Sequence, residues 1–265
     1  MTAEPSRRRV LQLLSLAVPA AALTASTRVD AASTGVPLLY PTQPPELVQE
    51  MVVVAHFDVA RVKELVTRQP TLAKATWDWG FGDWETALGA ASHVGNREIA
   101  SVLLEHGAHA TIFSAAMLGQ LDVVKGFLTA SPALARTRGP HSISLLSHAK
   151  AGGAQAQTVV EYLETVDGAD DKPAVQPLSD ADAAAIAGTY SFGVTPADRL
   201  EITLSKGQVQ IGRPGHYPRG LFHLGGLVFC PIGAESVRIS FAKSGDAMEL
   251  TIRDPDVVLV AKKTA

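Results

Sequence analysis

The stretch that decides the fold is Gly95–Ala108, which reads GNREIASVLLEHGA. Gly95 opens it, apolar residues then recur at helical spacing, and Gly107 ends it. Glycine is favoured just beyond a helix because it adopts positive φ without a steric penalty. The pattern therefore predicts a short helix that buries one face and stops at a defined turn.

The same pattern recurs on both sides of this stretch. Copies lie at 57–66 and 119–128, and a degenerate copy lies at 158–163. Shorter apolar segments precede them, at 86–91 for example, and predict partner helices. Because one helical hairpin cannot cover its own apolar face, neighbouring copies must stack.

These segments resemble ankyrin repeats. Thr86-Ala87-Leu88-Gly89-Ala90-Ala91 stands where that family carries Thr-Pro-Leu-His-x-Ala. The resemblance implies a solenoid of about four repeats. In such an array four residues are expected to share one apolar seam: Leu65, Leu103, Phe127 and Leu163.

All three tryptophans of the chain lie in one segment between the first and second copies. The resemblance implies that this segment is an extended finger at the partner-binding edge of the stack. Aromatic rings dominate binding hot spots, so Trp77, Trp79 and Trp84 are candidate partner contacts, with the adjacent Glu85. The alternative is a hydrophobic plug that packs the finger onto helices or onto the C-terminal domain.

Histidines supply the only candidate chemistry. His56 and His93 hold equivalent positions in two repeats, while His141 precedes and His148 lies within the corresponding helix of the fourth. Three of them facing one groove could bind a metal or an anion, or act in acid–base chemistry. The favoured interpretation is that the histidines make structural hydrogen bonds, so no metal ligand or catalytic residue is assigned. His93 and His148 are instead assigned to the surface expected to contact a protein partner.

Beyond residue 186 the apolar period changes from helical to two. Leu200, Ile202 and Leu204 alternate with polar neighbours, and glycine-containing turns separate successive hairpins. About eight strands are expected, ending in a buried strand at 257–260, and this number suits a small barrel.

The opening Ala187-Gly188-Thr189-Tyr190 and the hairpins after it resemble the small β-barrel domains appended to exported β-lactamase-like hydrolases. The resemblance implies an accessory domain. A barrel of this size either fills with side chains or holds one ligand. An apolar-ligand cavity would be lined by Phe222, Phe229, Phe241 and Leu250.

The N-terminus carries an export signal by resemblance. Ser6–Gln12 reads SRRRVLQ and is similar to the twin-arginine motif, and the apolar stretch that follows is shorter than the roughly 20 residues of a membrane span. Small residues beyond it offer A-x-A cleavage sites. The resemblance implies a periplasmic or secreted protein that folds before export. A disordered basic N-terminus or a mitochondrial presequence is the alternative.

Composition excludes several classes of function. The net charge of −3 leaves no polybasic surface for nucleic acid or anionic lipid. The single Cys230 excludes an intrachain disulfide and a multi-cysteine metal site. The sequence contains no nucleophile elbow, phosphate loop, dinucleotide fingerprint or His-Glu-x-x-His motif.

The sequence thus predicts an α+β protein with two domains: a helical ankyrin-repeat solenoid and an antiparallel barrel. The expected function is non-enzymatic binding of a protein partner in the periplasm or cell envelope, with no cofactor, nucleic acid or stable membrane anchor. Apolar-ligand binding by the barrel is the alternative, and a metal or acid–base site is the least favoured. The expected boundaries are a signal peptide at 1–32, a Pro-rich linker at 33–45, repeats at 46–168, a hinge at 169–177 and the barrel at 178–265.

Overall fold

The structure is a computed structural model that describes residues 39–264. The expected signal peptide and the first six residues of the expected linker lie outside the described residues. Residues 39–44 form a turn, in which the Thr42 amide donates to Leu39 O at 2.8 Å. The chain from Pro45 onward forms one compact unit. Among the described helices, none is long and apolar enough to cross a membrane.

The first half of this unit is built from helices in consecutive pairs. Their bounds are α1 Pro45–Val54, α2 Val59–Arg68, α3 Ala87–His93, α4 Arg97–Glu105, α5 Ile112–Met117, α6 Leu121–Ala130, α7 Leu145–Ala151 and α8 Gln157–Glu164. Every helix predicted from the repeated pattern is present. The two helices of each pair pack together, and the first helices of the pairs, α1, α3, α5 and α7, pack on one another in chain order. Among the second helices, α2 packs on α4 and α6 packs on α8.

Side-chain caps fix where many of these helices begin. The side chain before the helix accepts a hydrogen bond from the third amide of the first turn, an interaction that stabilises a helix by about 1 kcal/mol. Gly107 follows α4 at φ +86°, as the sequence predicts. The capping residues are Asp58, Thr86, Asn96, Thr111 and Ser144.

Two apolar cores lie side by side in the helical half. Leu65 and Leu103 are buried in the first and Leu163 in the second. The expectation of one shared apolar seam is wrong, because Leu163 lies in a different core from Leu65 and Leu103 and the side chain of Phe127 is 39% exposed. The neighbouring Leu128 is 7% exposed. α6 begins at Leu121, and helical spacing from there directs Val124 and Leu128, not Phe127, to the core.

A two-stranded finger separates α2 from α3. Strands β1 (Thr76–Asp78) and β2 (Trp84–Thr86) pair antiparallel, with Trp77 opposite Glu85. Trp77 and Trp79 pack against the first helical core.

The second half is a closed antiparallel barrel of eight strands, preceded by a short helix. The bounds are α9 Asp180–Ile186, β3 Gly188–Ser191, β4 Arg199–Ser205, β5 Gln208–Gly212, β6 Arg219–Gly225, β7 Val228–Pro231, β8 Arg238–Ser244, β9 Ala247–Asp254 and β10 Val257–Lys263. The order of the strands around the barrel is β10-β3-β4-β5-β6-β7-β8-β9. This confirms the predicted barrel and its hairpins.

The closing strand differs from its prediction. β10 does close the barrel by pairing with β9 and β3, but its valines are not buried, and Val258 is 61% exposed. Successive side chains of a strand point to opposite faces of the sheet. Leu259 and Ala261 therefore point to the barrel interior, and Val258 and Val260 point to solvent.

Aromatic side chains fill the middle of the barrel. The ring of Phe241 lies 5.6 Å from that of Tyr190 and 5.7 Å from that of Phe229, both edge-on. Tyr190, from the predicted Ala-Gly-Thr-Tyr opening, donates its hydroxyl to Ile186 O at 2.7 Å. The apolar-ligand cavity expected around Phe229, Phe241 and Leu250 is therefore filled by those side chains.

The expected hinge is bonded to both halves of the protein. Leu146 N donates to Ala169 O at 2.9 Å, and Gln176 N donates to His223 O at 2.8 Å. These bonds hold the helices and the barrel in one unit.

Adjacent substitutions in α6 test the register of the helical core. Leu128→Ala is expected to lower the free energy of unfolding by about 2–5 kcal/mol, because it leaves a cavity in the core. Phe127→Ala is expected to lower it by less than about 1 kcal/mol, because the ring is partly solvated. Urea denaturation measures both, and a larger loss for Phe127→Ala would contradict this register.

Candidate metal centre

Four side chains converge from four separate elements. His56 follows α1, Glu85 lies on β2, His93 ends α3, and His141 lies in the turn Pro140–Ser142. Each offers one nitrogen or oxygen atom, and these four atoms lie within 4.8 Å of one another. Helix ends and a finger thus build one site from residues far apart in the chain.

Glu85 is the centre of this cluster and its side chain is fully buried. Trp79 Nε1 donates a 2.8 Å hydrogen bond to Glu85 Oε2. Glu85 Oε1 has no hydrogen-bond partner among residues 39–264, although His93 Nε2 lies only 3.0 Å away. Burying a carboxylate oxygen without a hydrogen-bond donor costs free energy, unless another group accepts the lone pair of that oxygen.

Two of the histidines have their Nδ1 atoms engaged. His56 Nδ1 lies 3.0 Å from Val52 O, and His141 Nδ1 lies 2.7 Å from Asp83 Oδ2. Both acceptors are oxygens, so Nδ1 carries the proton in the neutral ring and the Nε2 lone pair is left toward the cluster. This tautomer is the one that metal-bound histidines adopt, often with a carboxylate behind the ring.

Three of the distances within the cluster are close to those between ligands of a single ion. At a metal–nitrogen bond of 2.0–2.1 Å, two ligand atoms of a tetrahedral site lie about 3.4 Å apart. His56 Nε2 lies 3.0 Å from His93 Nε2 and 3.5 Å from Glu85 Oε2. His141 Nε2 lies 3.4 Å from Glu85 Oε2.

A second layer of contacts holds His141 in place. Asp83 is buried, accepts the His141 backbone amide at 3.0 Å, and pairs with Arg219 of the barrel. Gly233 packs against Asp83 so closely that a Cβ there would overlap the carboxylate. The barrel therefore presses on the residue that orients His141.

Backbone strain is concentrated in the same place. Phe81, His141 and Ser142 all have φ near +60°, a region that side-chain-bearing residues seldom adopt. Ser142 is held there by its hydroxyl, which accepts the Gly233 amide at 2.7 Å. Strained residues cluster at functional sites because the surrounding structure must over-determine them.

The charged side chains in and around the cluster stabilise one another's ionised forms. Burial alone would raise the pKa of Glu85, but His141 and His93 outweigh it and lower that pKa to about 2. Burial would lower the pKa of His141, but Asp83 and Glu85 outweigh it and raise that pKa to about 9. Burial also opposes the ionised form of Asp83, yet contacts with His141 and Arg219 leave its pKa below the usual value.

The residues expected to contact a partner differ in their exposure and do not form one surface. Glu85 and His148 are fully buried and so cannot contact a partner, and Trp77 and Trp79 are half-buried against the helical core. His93 belongs to the cluster. Only Trp84 is largely exposed within this set, at 61%.

His148 turns away from the cluster. Its Nδ1 lies 2.9 Å from Ser144 O, and its ring packs 4.7 Å from that of Phe113. Its Nε2 is buried without a hydrogen-bond partner in the described part of the chain. Burial is the main reason that the pKa of His148 falls to about 4, with His93 lowering it further and Glu85 opposing the shift.

The sequence singled out His56, His93, His141 and Glu85 and raised the possibility that three of the histidines share one groove, but it did not predict the pairing of Asp83 with Arg219. Asp83 gave no signal of this role, because an aspartate beside glycine is ordinary in a turn. Arg219 gave none either, because its partner Asp83 lies in the helical half of the protein.

No protein-family model matches this chain, and no curated protein matches its sequence significantly.

Replacing Asp83 tests the contact between finger and barrel. Asp83→Asn is expected to lower the free energy of unfolding by about 3–5 kcal/mol, because Arg219 and His141 lose their buried counter-charge. Glu98→Gln, which breaks an exposed ion pair with Lys63, is the control and is expected to change it by less than about 1 kcal/mol. Equal effects of the two substitutions in urea denaturation would refute a buried charge link.

The buried His148 predicts an acid-sensitive stability. Its pKa is 6.5 when unfolded and about 4 when folded, so the unfolded chain gains a proton first and stability falls as pH drops through this window. Between pH 7 and pH 5 the wild type is expected to lose about 2 kcal/mol more unfolding free energy than His148→Gln. Chemical denaturation at both pH values measures this, and equal losses would show that His148 titrates normally in the fold.

Proposed function

We propose that this chain is a metal-binding protein, in which His56, Glu85, His93 and His141 hold one divalent transition-metal ion. The observation that carries the proposal is Glu85 Oε1, a fully buried carboxylate oxygen without a hydrogen-bond partner among the described residues. A shared ion would satisfy this oxygen and the three Nε2 lone pairs together. Without an ion, Glu85 pairs with protonated His141, because Asp83 and Glu85 raise the pKa of His141 to about 9. Binding of an ion would therefore release that proton.

The donor set selects the kind of ion. Imidazole nitrogens suit zinc and its neighbours, whereas magnesium and calcium prefer oxygen ligands only. Three histidines and one carboxylate fit Zn²⁺ best. Four protein ligands fill a tetrahedral shell, which favours a binding or stabilising ion over one that activates water. The proposal thus keeps the non-enzymatic role expected from the sequence.

The ion would cross-link elements of the fold that already pack against one another. Its ligands come from the first two helical pairs, the finger and the turn before α7, and Asp83 extends the network to Arg219 of the barrel. We propose that the helical pairs form an ankyrin-type array, supported by their order of packing and by the Thr86–Ala91 motif. Export by the twin-arginine route belongs to the same proposal, because that route accepts proteins already folded around a cofactor.

Recognition of a protein partner is a second candidate function. It is favoured by Trp84, whose large aromatic side chain is mostly exposed at the edge of the finger. Exposed aromatic anchors of this kind contribute strongly at protein interfaces.

Metal titration of the full chain tests the main proposal. Protein stripped with a chelator is expected to bind one equivalent of Zn²⁺ and to gain about 2.7 kcal/mol of stability when free zinc is 100 times the dissociation constant. Co²⁺ in its place is expected to give the visible absorption of a tetrahedral site. Calorimetry and thermal unfolding measure these effects.

Matched variants assign the ligands. His93→Ala and Glu85→Gln are each expected to weaken zinc binding at least about tenfold, because each removes a ligand atom. His109→Ala, at an exposed histidine, is expected to bind zinc as the wild type does. Folding of each variant is checked by circular dichroism. Absence of saturable binding in the wild type, or unchanged affinity in folded Glu85→Gln, would sink the proposal.

A further inference from the structure

A second site lies at one mouth of the barrel, apart from the proposed metal ligands. A cavity of about 500 Å³ opens there, a size typical of small-molecule sites. Its wall is mostly aliphatic and aromatic and includes Phe192, Leu200, Ile211, Ile252 and Leu259. The aromatic side chains that fill the barrel centre lie below it, so a ligand here would enter the mouth and not the core.

The helical half supplies one wall of this cavity. Gly80 and Phe81, from the tip of the finger, line it together with the barrel strands. Phe81 has φ +60° and packs against the barrel core. The cavity is therefore complete only when the finger packs on the barrel.

One polar donor in the wall lacks a partner. Arg219 lines the cavity, and its Nε is buried without a hydrogen-bond partner anywhere in residues 39–264. The Nη2 atom of the same guanidinium is already engaged by Asp83 and by Ile232 O, the latter at 2.7 Å. Burying an N–H donor without an acceptor is unfavourable. Because Arg219 Nε is closed off from solvent, a ligand acceptor reaches it only when the Arg219 side chain rotates toward the cavity.

Charge around the cavity argues for an uncharged ligand. Asp83 already neutralises Arg219, and the rim carries one further cation, Arg213, and one carboxylate, Asp254. Arg213 is itself occupied, since it lies over the Phe192 ring at 5.5 Å and donates to Ala197 O. Arg219 thus needs a hydrogen-bond acceptor and not a counter-ion.

We propose that the barrel mouth binds one uncharged apolar molecule that carries a hydrogen-bond acceptor, of the ester or amide carbonyl class. The apolar body fills the cavity beside Leu200, Ile211 and Ile252, and the carbonyl oxygen accepts from Arg219 Nε. This site is distinct from the proposed metal centre and does not depend on an ion being bound there.

Displacement of a fluorescent probe from the full chain tests the proposal. N-phenyl-1-naphthylamine, an uncharged apolar dye, is expected to bind saturably with enhanced emission. Methyl decanoate is expected to displace it at concentrations at least about tenfold lower than decanoate does, since the ester meets Arg219 Nε without bringing a charge. Stronger displacement by the free acid would overturn the uncharged class of ligand.

Neighbouring residues of β10 give a matched pair of variants. Val257 lines the cavity, while Val258 faces solvent. Val257→Trp is expected to abolish dye binding by filling the mouth, and Val258→Trp is expected to leave it unchanged. Dye binding that survives in Val257→Trp would place the dye elsewhere and overturn the site.

Arg219→Lys separates the acceptor contact from apolar filling. Lysine keeps a cation for Asp83 but lacks the Nε–H donor. The Arg219→Lys variant is expected to retain dye binding and to bind methyl decanoate about tenfold more weakly than the wild type does. Unchanged ester affinity would show that Arg219 Nε does not recognise the ligand. A variant that fails to fold leaves the Val257 and Val258 pair as the deciding comparison.

Discussion

The rest of this structure depends on one buried carboxylate, that of Asp83. It lies between His141 of the helical half and Arg219 of the barrel, and it accepts the backbone amide of His141 as well. A buried charge is tolerated only when its partners are held close, so this contact fixes the finger, the strained turn and the barrel relative to one another. Both proposed sites inherit their geometry from it.

The two sites use the finger in different ways. Glu85 sits on its second strand and faces the three histidines, while Phe81 at its tip closes a wall of the barrel mouth. Asp83 lies between them in the chain and bonds to the histidine of one site and the arginine of the other. The tryptophans of the finger are mainly packing and hydrogen-bonding groups, since Trp79 donates to Glu85 and Trp77 packs on the helical core. The plug interpretation of the finger fits these two residues, and the exposed Trp84 fits a contact surface.

Local physical chemistry explains why the element boundaries were predictable. Period, caps and glycine stops are properties of adjacent residues, so the helix pairs and the hairpins could be read from the sequence. Burial was predicted less well where one residue of register decides it. Phe127 and Leu128 are adjacent apolar residues, and the packing of α6 against α5 and α8 decides which of them faces the core. The valines of β10 were misplaced for a similar reason, because a run of apolar residues does not show which face of a strand is covered.

By itself, the sequence determined the helical pairs, the eight-stranded antiparallel domain and the histidines that carry chemistry, because periodicity and residue type are local. Only the tertiary structure decided that His56, His93 and His141 meet around Glu85 while His148 turns into the core. It also decided that Asp83 and Arg219 pair across the two halves. Such convergence depends on how helices stack and how the barrel docks, and those are long-range packing relations that no spacing along the chain encodes.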